Sequence, residues 1–96
     1  MYLSNEQIKT IQIFFQDTPV EKLYLFGSYA RGDANENSDI DLAFGLQKGT
    51  RISYFGLAKY LVDLEKNLDK KIDLVEEDLI YPRIKNSFDK EKKKIL

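Results

Sequence analysis

The segment Asp39-Ile-Asp-Leu-Ala-Phe44 alternates acidic or small residues with large apolar ones, and this period of two narrows the fold more than any other feature. Side chains on a strand point alternately to its two faces, with residues i and i+2 about 6.6 Å apart on one face. A strand here turns Ile40 and Leu42 to the core and projects Asp39 and Asp41 together from the other face. Upstream, Leu23-Tyr-Leu-Phe26 is a continuous apolar run stopped by Gly27, which predicts a central strand. The polar stretch Asp33-Ala-Asn-Glu-Asn-Ser38 between the two runs is rich in turn formers. Downstream, Ile72-Asp-Leu-Val75 again sets an acid between apolar neighbours and predicts a third strand.

Helices fill the intervals. Ser4 and Gln7 have the spacing of a capping box, and Leu3 and Ile8 that of a hydrophobic staple. Ile8, Ile11, Phe14 and Phe15 then recur at helical period, predicting a helix over about residues 5–16 that ends at Thr18-Pro19. A long helix is expected over about 51–68, with Tyr54, Leu57, Ala58, Leu61, Leu64 and Leu68 as its buried stripe. Tyr54, Phe55 and Tyr60 on it are expected in the core, with an exposed aromatic patch for a partner as the alternative. Pro82 suits the first turn of a last helix reaching about residue 90, and residues 94–96 can add an edge strand. The order α-β-α-β-α-β-α predicts a two-layer α/β (α+β) fold, a small mixed sheet with helices packed on it. One domain over residues 1–96 is expected from that length.

Composition limits the chemistry. There is no Cys and no His, which excludes disulfides, thiolate metal sites, His-based triads and the usual zinc ligands. What remains is carboxylates, hydroxyls, Lys and Arg, a set that suits hard cations such as Mg²⁺. With 15 basic and 16 acidic residues, the molecule as a whole is no electrostatic binder of nucleic acid, and nucleic acid is not an expected partner. Lys90-Glu-Lys-Lys-Lys94 is expected as a solvated tail, with a basic contact patch as the alternative. No apolar stretch approaches the ~20 residues that span a bilayer and no signal peptide opens the chain, so a cytoplasmic protein without membrane contact is expected.

Two carboxylates held close repel each other unless a cation sits between them, and paired divalent ions serve in-line phosphoryl displacement. If the third strand pairs beside the second, Asp73 joins Asp39 and Asp41, and three acids at one sheet end can bridge two Mg²⁺ ions. Gly27 leaves the backbone open to a ligand at the end of its strand. Ser28 begins a short helical turn whose N–H groups suit an anion, and Arg31 lies one turn on, placed to meet a phosphate oxygen. A calcium loop is excluded, although Asp33, Asn35 and Asn37 are spaced for one. Its sixth position would be Ser38 instead of Gly, and its twelfth Phe44 instead of Glu. Nor is there a P-loop, which needs a G-x-x-x-x-G-K-[ST] run.

Gly27-Ser28, ten residues and then Asp39-Ile-Asp41 resemble the signature of the DNA polymerase β-type nucleotidyltransferase superfamily. More narrowly, Leu25-Phe-Gly-Ser-Tyr-Ala-Arg-Gly32 and Ser38-Asp-Ile-Asp-Leu42 resemble its minimal nucleotidyltransferases, the MNT or MntA-like proteins. The tight match covers about residues 23–44, and Asp73 matches the family's third acid. The resemblance implies a nucleotidyltransferase fold, binding of ATP with two Mg²⁺ ions, and transfer of AMP to a hydroxyl with release of pyrophosphate. It implies that Gly27 and Ser28 hold the triphosphate, that Asp39 and Asp41 ligate both metals, and that Asp73 ligates one and activates the acceptor. It further implies an antitoxin that adenylylates a tyrosine of a helical HEPN-type toxin partner; whether the chain forms a homo- or hetero-oligomer is open at this point. Two other functions are open at this point: nucleotidyl transfer to a small molecule such as an aminoglycoside, and a non-catalytic antitoxin that covers its partner. One departure stands out. Family members often carry Glu-Gly near the end, and here Glu91 is followed by Lys92.

Overall fold

The structure is a computed structural model describing residues 1–96. In chain order it comprises α1 (Asn5–Phe15), β1 (Val20–Phe26), α2 (Ser28–Arg31), β2 (Ile40–Leu46), α3 (Tyr54–Leu68), β3 (Ile72–Glu76), a 3₁₀ turn (Glu77–Leu79), α4 (Pro82–Glu91) and β4 (Lys93–Lys94). The four strands form one mixed sheet of order β3-β2-β1-β4. β1 runs antiparallel to both β2 and β4, and β2 runs parallel to β3. This is the two-layer mixed α/β arrangement that the element order predicts.

The capping box at the start of α1 is present in both directions: the Gln7 amide donates to the Ser4 hydroxyl, and the Ser4 amide donates to the Gln7 side-chain oxygen. Leu3 is buried beside it and Ile8 packs on the core, as a staple requires. Ile11 and Phe15 of α1 and Leu64 of α3 are buried with Leu23 and Leu25 of β1 and Ile40 and Leu42 of β2. Phe14, Phe15 and Tyr60 meet edge-to-face, with ring centroids 5.0–6.2 Å apart. These residues form the main core, on one face of the sheet. The alternation of β1 turns Tyr24 and Phe26 to the other face, where Phe88 of α4 packs against both rings at 6.2 and 5.3 Å.

Several local expectations need correction. β2 runs on through Gly45 and Leu46, because a bulge between Val20 and Lys22 keeps both strands paired past the glycine. α3 begins at Tyr54, three residues later than expected, because the Ser53 hydroxyl accepts the Gly56 amide and caps it. Leu57, Leu61, Leu64 and Leu68 face the core as predicted, but Ala58 is exposed. Tyr54 and Phe55 are 84% and 85% exposed, so of the three aromatics only Tyr60 belongs to the core. Periodicity puts Tyr54 on the apolar stripe, yet no element lies opposite the first turn of α3 to cover it.

The C-terminal run is not a solvated tail. Lys92 places its ammonium 4.7 Å from the Tyr24 ring centroid and 5.3 Å from that of Phe88. Lys93 lies over Tyr2. Their charges meet aromatic faces, and Lys93 and Lys94 pair with β1 as its edge strand. Ile95 is buried, and its amide donates to the Leu23 carbonyl. No helix is long and apolar enough to cross a membrane.

α3 ends on Asp69 in the left-handed conformation, φ 51°, a position that favours glycine. Asp69→Gly is therefore expected to stabilise the fold by about 0.5–1 kcal/mol, read as a Tm increase of a few degrees in calorimetry. An unchanged or lower Tm would contradict this.

Candidate active site

β1 delivers the chain to Gly27, whose φ of 74° and ψ of −155° lie in a region essentially confined to glycine. A Cβ at this position would also overlap the Asp41 carboxylate. The hydrogen atom of Gly27 is thus a requirement of both the backbone path and the neighbouring acid. The chain then turns into α2, whose Ala30 and Arg31 amides donate to the Gly27 carbonyl. Tyr29 and Ala30 are buried and anchor the turn to the core, while Ser28 stays half-exposed at its start. As in any first helical turn, the leading amides have no acceptor within the helix.

Pairing in the sheet assembles the acids. Asp41 stands opposite Phe26 on β1 and opposite Asp73 on β3. Directly paired residues share a face, so Asp41 and Asp73 project side by side from the face opposite the main core. Asp39 precedes β2 by one residue and is exposed, as is Asp73, whereas Asp41 is half-buried. Burial, and then the charges of Asp73 and Asp39, push the Asp41 carboxyl up to about 6; Arg31 opposes them. The three acids do not close on a common coordination point. Coulomb repulsion reaches further than ligation, so they raise the Asp41 pKa without forming a ready-made cage.

Arg31 is the sequence-predicted residue whose surroundings differ most from expectation. Its guanidinium donates to Asp33 at 3.2 Å and to Glu91 at 3.1 Å, so two carboxylates already engage the group expected to face phosphate. Sequence reading did not single out Glu91 as part of the site. Its signals were position in an acidic-basic run and the match to the Glu of the family's near-terminal Glu-Gly pair, neither of which points to Arg31, and the contact spans sixty residues of chain. Beside these residues the sheet face continues into a pocket of about 380 Å³ that includes Gly27, Arg31, Asp73 and Glu91.

The donor set is entirely oxygen, which suits Mg²⁺ and not soft metals. The two paired acids carry like charge that a divalent cation would offset, and they lie beside a turn open to phosphate. Residues 7–96 match the family model described as "Polymerase beta, Nucleotidyltransferase". The chain belongs to this family. It is a nucleotidyltransferase.

A Methanocaldococcus jannaschii protein named "Putative protein adenylyltransferase" is 36% identical over 73 residues, covering 75% of this chain and 73% of that protein. A structure described as a "toxin-antitoxin with AMP-PNP" superposes with a TM-score of 0.79 at 24% identity, over 93% of this chain and 72% of that one. A "putative minimal nucleotidyltransferase" gives 0.72 at 26% identity, over 92% and 87%. A complex described as tri-AMPylated Shewanella oneidensis HEPN toxin with MNT antitoxin gives 0.74 at 20% identity, over 98% and 72%. The matches below 25% identity bear on the fold alone, and the fold is the minimal nucleotidyltransferase one.

Proposed function

We propose that this nucleotidyltransferase moves AMP from ATP to a tyrosine hydroxyl of a HEPN-type toxin partner and thereby serves as its antitoxin. The observation that carries the chemistry is the pairing of Asp41 with Asp73 on one face, beside a Gly27 that admits no side chain. Support for the acceptor comes from the similar protein named an adenylyltransferase and from the fold shared with an antitoxin bound to an AMPylated toxin.

In this reading Gly27 and Ser28 hold the β- and γ-phosphates, with the Ser28 hydroxyl and the leading amides of α2 as donors. Asp39 and Asp41 would hold two Mg²⁺ ions, with Asp73 as a further ligand to one of them. When bound, the ions neutralise charge on the phosphates and lower the pKa of the acceptor hydroxyl. Asp73, exposed at the edge of the face, takes the proton of the incoming hydroxyl. A bond forms between the tyrosine oxygen and the α-phosphorus, and the bond from that phosphorus to the bridging oxygen of pyrophosphate breaks. Pyrophosphate then leaves over the Gly27-Ser28 turn.

The experiment is incubation with labelled ATP, Mg²⁺ and the HEPN-type product of a neighbouring gene, followed by mass spectrometry of the partner. A gain of one AMP on a partner tyrosine is expected. No label on the partner, together with intact neutralisation of toxicity by an Asp39→Ala/Asp41→Ala variant, would sink the enzymatic reading. Arg31→Ala is expected to raise the KM for ATP by about three- to tenfold with a smaller change in kcat, as loss of one charge-assisted phosphate contact predicts. An unchanged KM would remove Arg31 from the phosphate site.

A further inference from the structure

Arg31 is the one basic side chain expected to meet phosphate, and in the nucleotide-free chain it is already engaged. Its Nε donates to Asp33 at 3.2 Å and its Nη1 to Glu91 at 3.1 Å. A guanidinium takes an oxyanion pairwise along one of two edges, Nε with Nη2 or Nη1 with Nη2. Each edge of Arg31 therefore has one nitrogen committed to a carboxylate. A phosphate that takes either edge pairwise must displace one of the two acids.

The two carboxylates differ in place. Asp33 lies two residues from Arg31 and belongs to the same local segment, with its side chain 63% exposed. Glu91 is the last residue of α4, and its side chain is 32% exposed. It lines the apolar slot of about 380 Å³ that α4 leaves on the sheet face beside Phe26, Val75 and Phe88. Gly27, Arg31 and Asp73 line the same slot, and Asp33 does not. Arg31 is also the one cation within ion-pair distance of Glu91. The neighbouring Lys92 is held elsewhere, by Asp89 and by the Tyr24 and Phe88 rings. Ion pairs this open to water add little to the stability of a fold, so the contact is cheap to break.

We propose that Glu91 is a built-in competitor for phosphate: it holds Arg31 in the nucleotide-free chain, and bound ATP takes its place on the guanidinium. Asp33 stays on Nε and keeps the group in position. Glu91 acts through Arg31 and touches no reacting atom, so it is a positioning residue, and its role rests on the nucleotide reading above. Two consequences follow from the exchange. ATP binds more weakly than it would to an unengaged Arg31, because one charge-assisted contact is broken as another forms. The exchange also cuts the one ion pair that joins α2 to α4, so nucleotide binding releases the end of α4 from the phosphate turn.

The test is titration calorimetry of ATP in Mg²⁺ with the wild type, Glu91→Gln, Asp33→Asn, and Arg31→Ala with and without Glu91→Gln. Glu91→Gln keeps the shape of the side chain and removes its charge, and Tm is expected to hold. ATP should bind Glu91→Gln about three- to fivefold more tightly than the wild type, a direction that loss of a merely structural contact does not produce. Inorganic tripolyphosphate should show the same gain, because the competition is for phosphate. Asp33→Asn should show no gain. In the Arg31→Ala background Glu91→Gln should change the affinity less than twofold, since no guanidinium is left to compete for. Unchanged or weaker binding by Glu91→Gln would overturn the proposal. An equal gain in Asp33→Asn, or in the Arg31→Ala background, would also overturn it by reducing Glu91 to one more negative charge near the phosphates. If neither the wild type nor Glu91→Gln binds ATP, the nucleotide reading itself fails and this inference with it.

Discussion

Asp41→Asn is expected to make the chain more stable and nearly inactive at once. Burial and the neighbouring charges of Asp73 and Asp39 raise the Asp41 pKa to about 6, so at neutral pH the folded chain holds an ionised group where ionisation is penalised. Asn has the same shape and no charge. Because Asp41 is only half-buried, solvent screening reduces the gain to about 1 kcal/mol, an upward Tm shift of about 4–8 °C for a domain of this size. With Asp41 in the metal-holding role proposed for it, transfer should fall by about 10³-fold or more, the several kcal/mol that such a ligand's charge contributes at the transition state.

The pH dependence has a definite sign. The folded-state pKa lies above the ordinary carboxylate value, so the folded chain keeps this proton over a range where the unfolded chain has lost it. The contribution to stability is full below about pH 4 and is lost as pH rises through about 6. Denaturant titrations across that window should show the decline in the wild type and its absence in Asp41→Asn. Equal slopes in the two proteins would contradict this origin of the shift.

Gly27→Ala is expected to be the most damaging single methyl group in the chain. It meets both a backbone conformation confined to glycine and the Asp41 carboxylate. Together these should cost about 3–5 kcal/mol, and nucleotide binding should be lost with the turn. A double-mutant cycle separates the two causes. In an Asp41→Ala background the added methyl meets no carboxylate, so the cost of Gly27→Ala should fall to the backbone part, about 1–3 kcal/mol. The same cost in both backgrounds would show that the carboxylate is not what the methyl displaces.

Much of the fold was legible because its signals are local. The Ser4–Gln7 box, the period of two in β2 and the apolar run of β1 each involve residues a few positions apart, and each formed the predicted element. Element ends were less legible, since they depended on a bulge at Val20/Lys22 and a cap at Ser53. The exposure of Tyr54 and Phe55 had no local signal. Helical periodicity describes one helix, whereas exposure depends on whether another element lies opposite. The lysines of the C-terminal run were misread for a related reason, since charge alone does not reveal that the ammonium groups of Lys92 and Lys93 lie over Tyr24, Phe88 and Tyr2.

By itself the sequence determined the chemistry of the candidate site: oxygen ligands alone, a glycine at the turn, and acids alternating with apolar residues so that strand geometry projects them from one face. The tertiary structure decided which groups meet. Parallel pairing of β2 with β3 set Asp73 beside Asp41, the return of α4 brought Glu91 to Arg31, and uneven cover of the sheet left the apolar slot. Alternation along a strand is written in neighbouring residues. The register of one strand against another, and the gap left between a helix and a sheet, depend on packing among residues far apart in the chain.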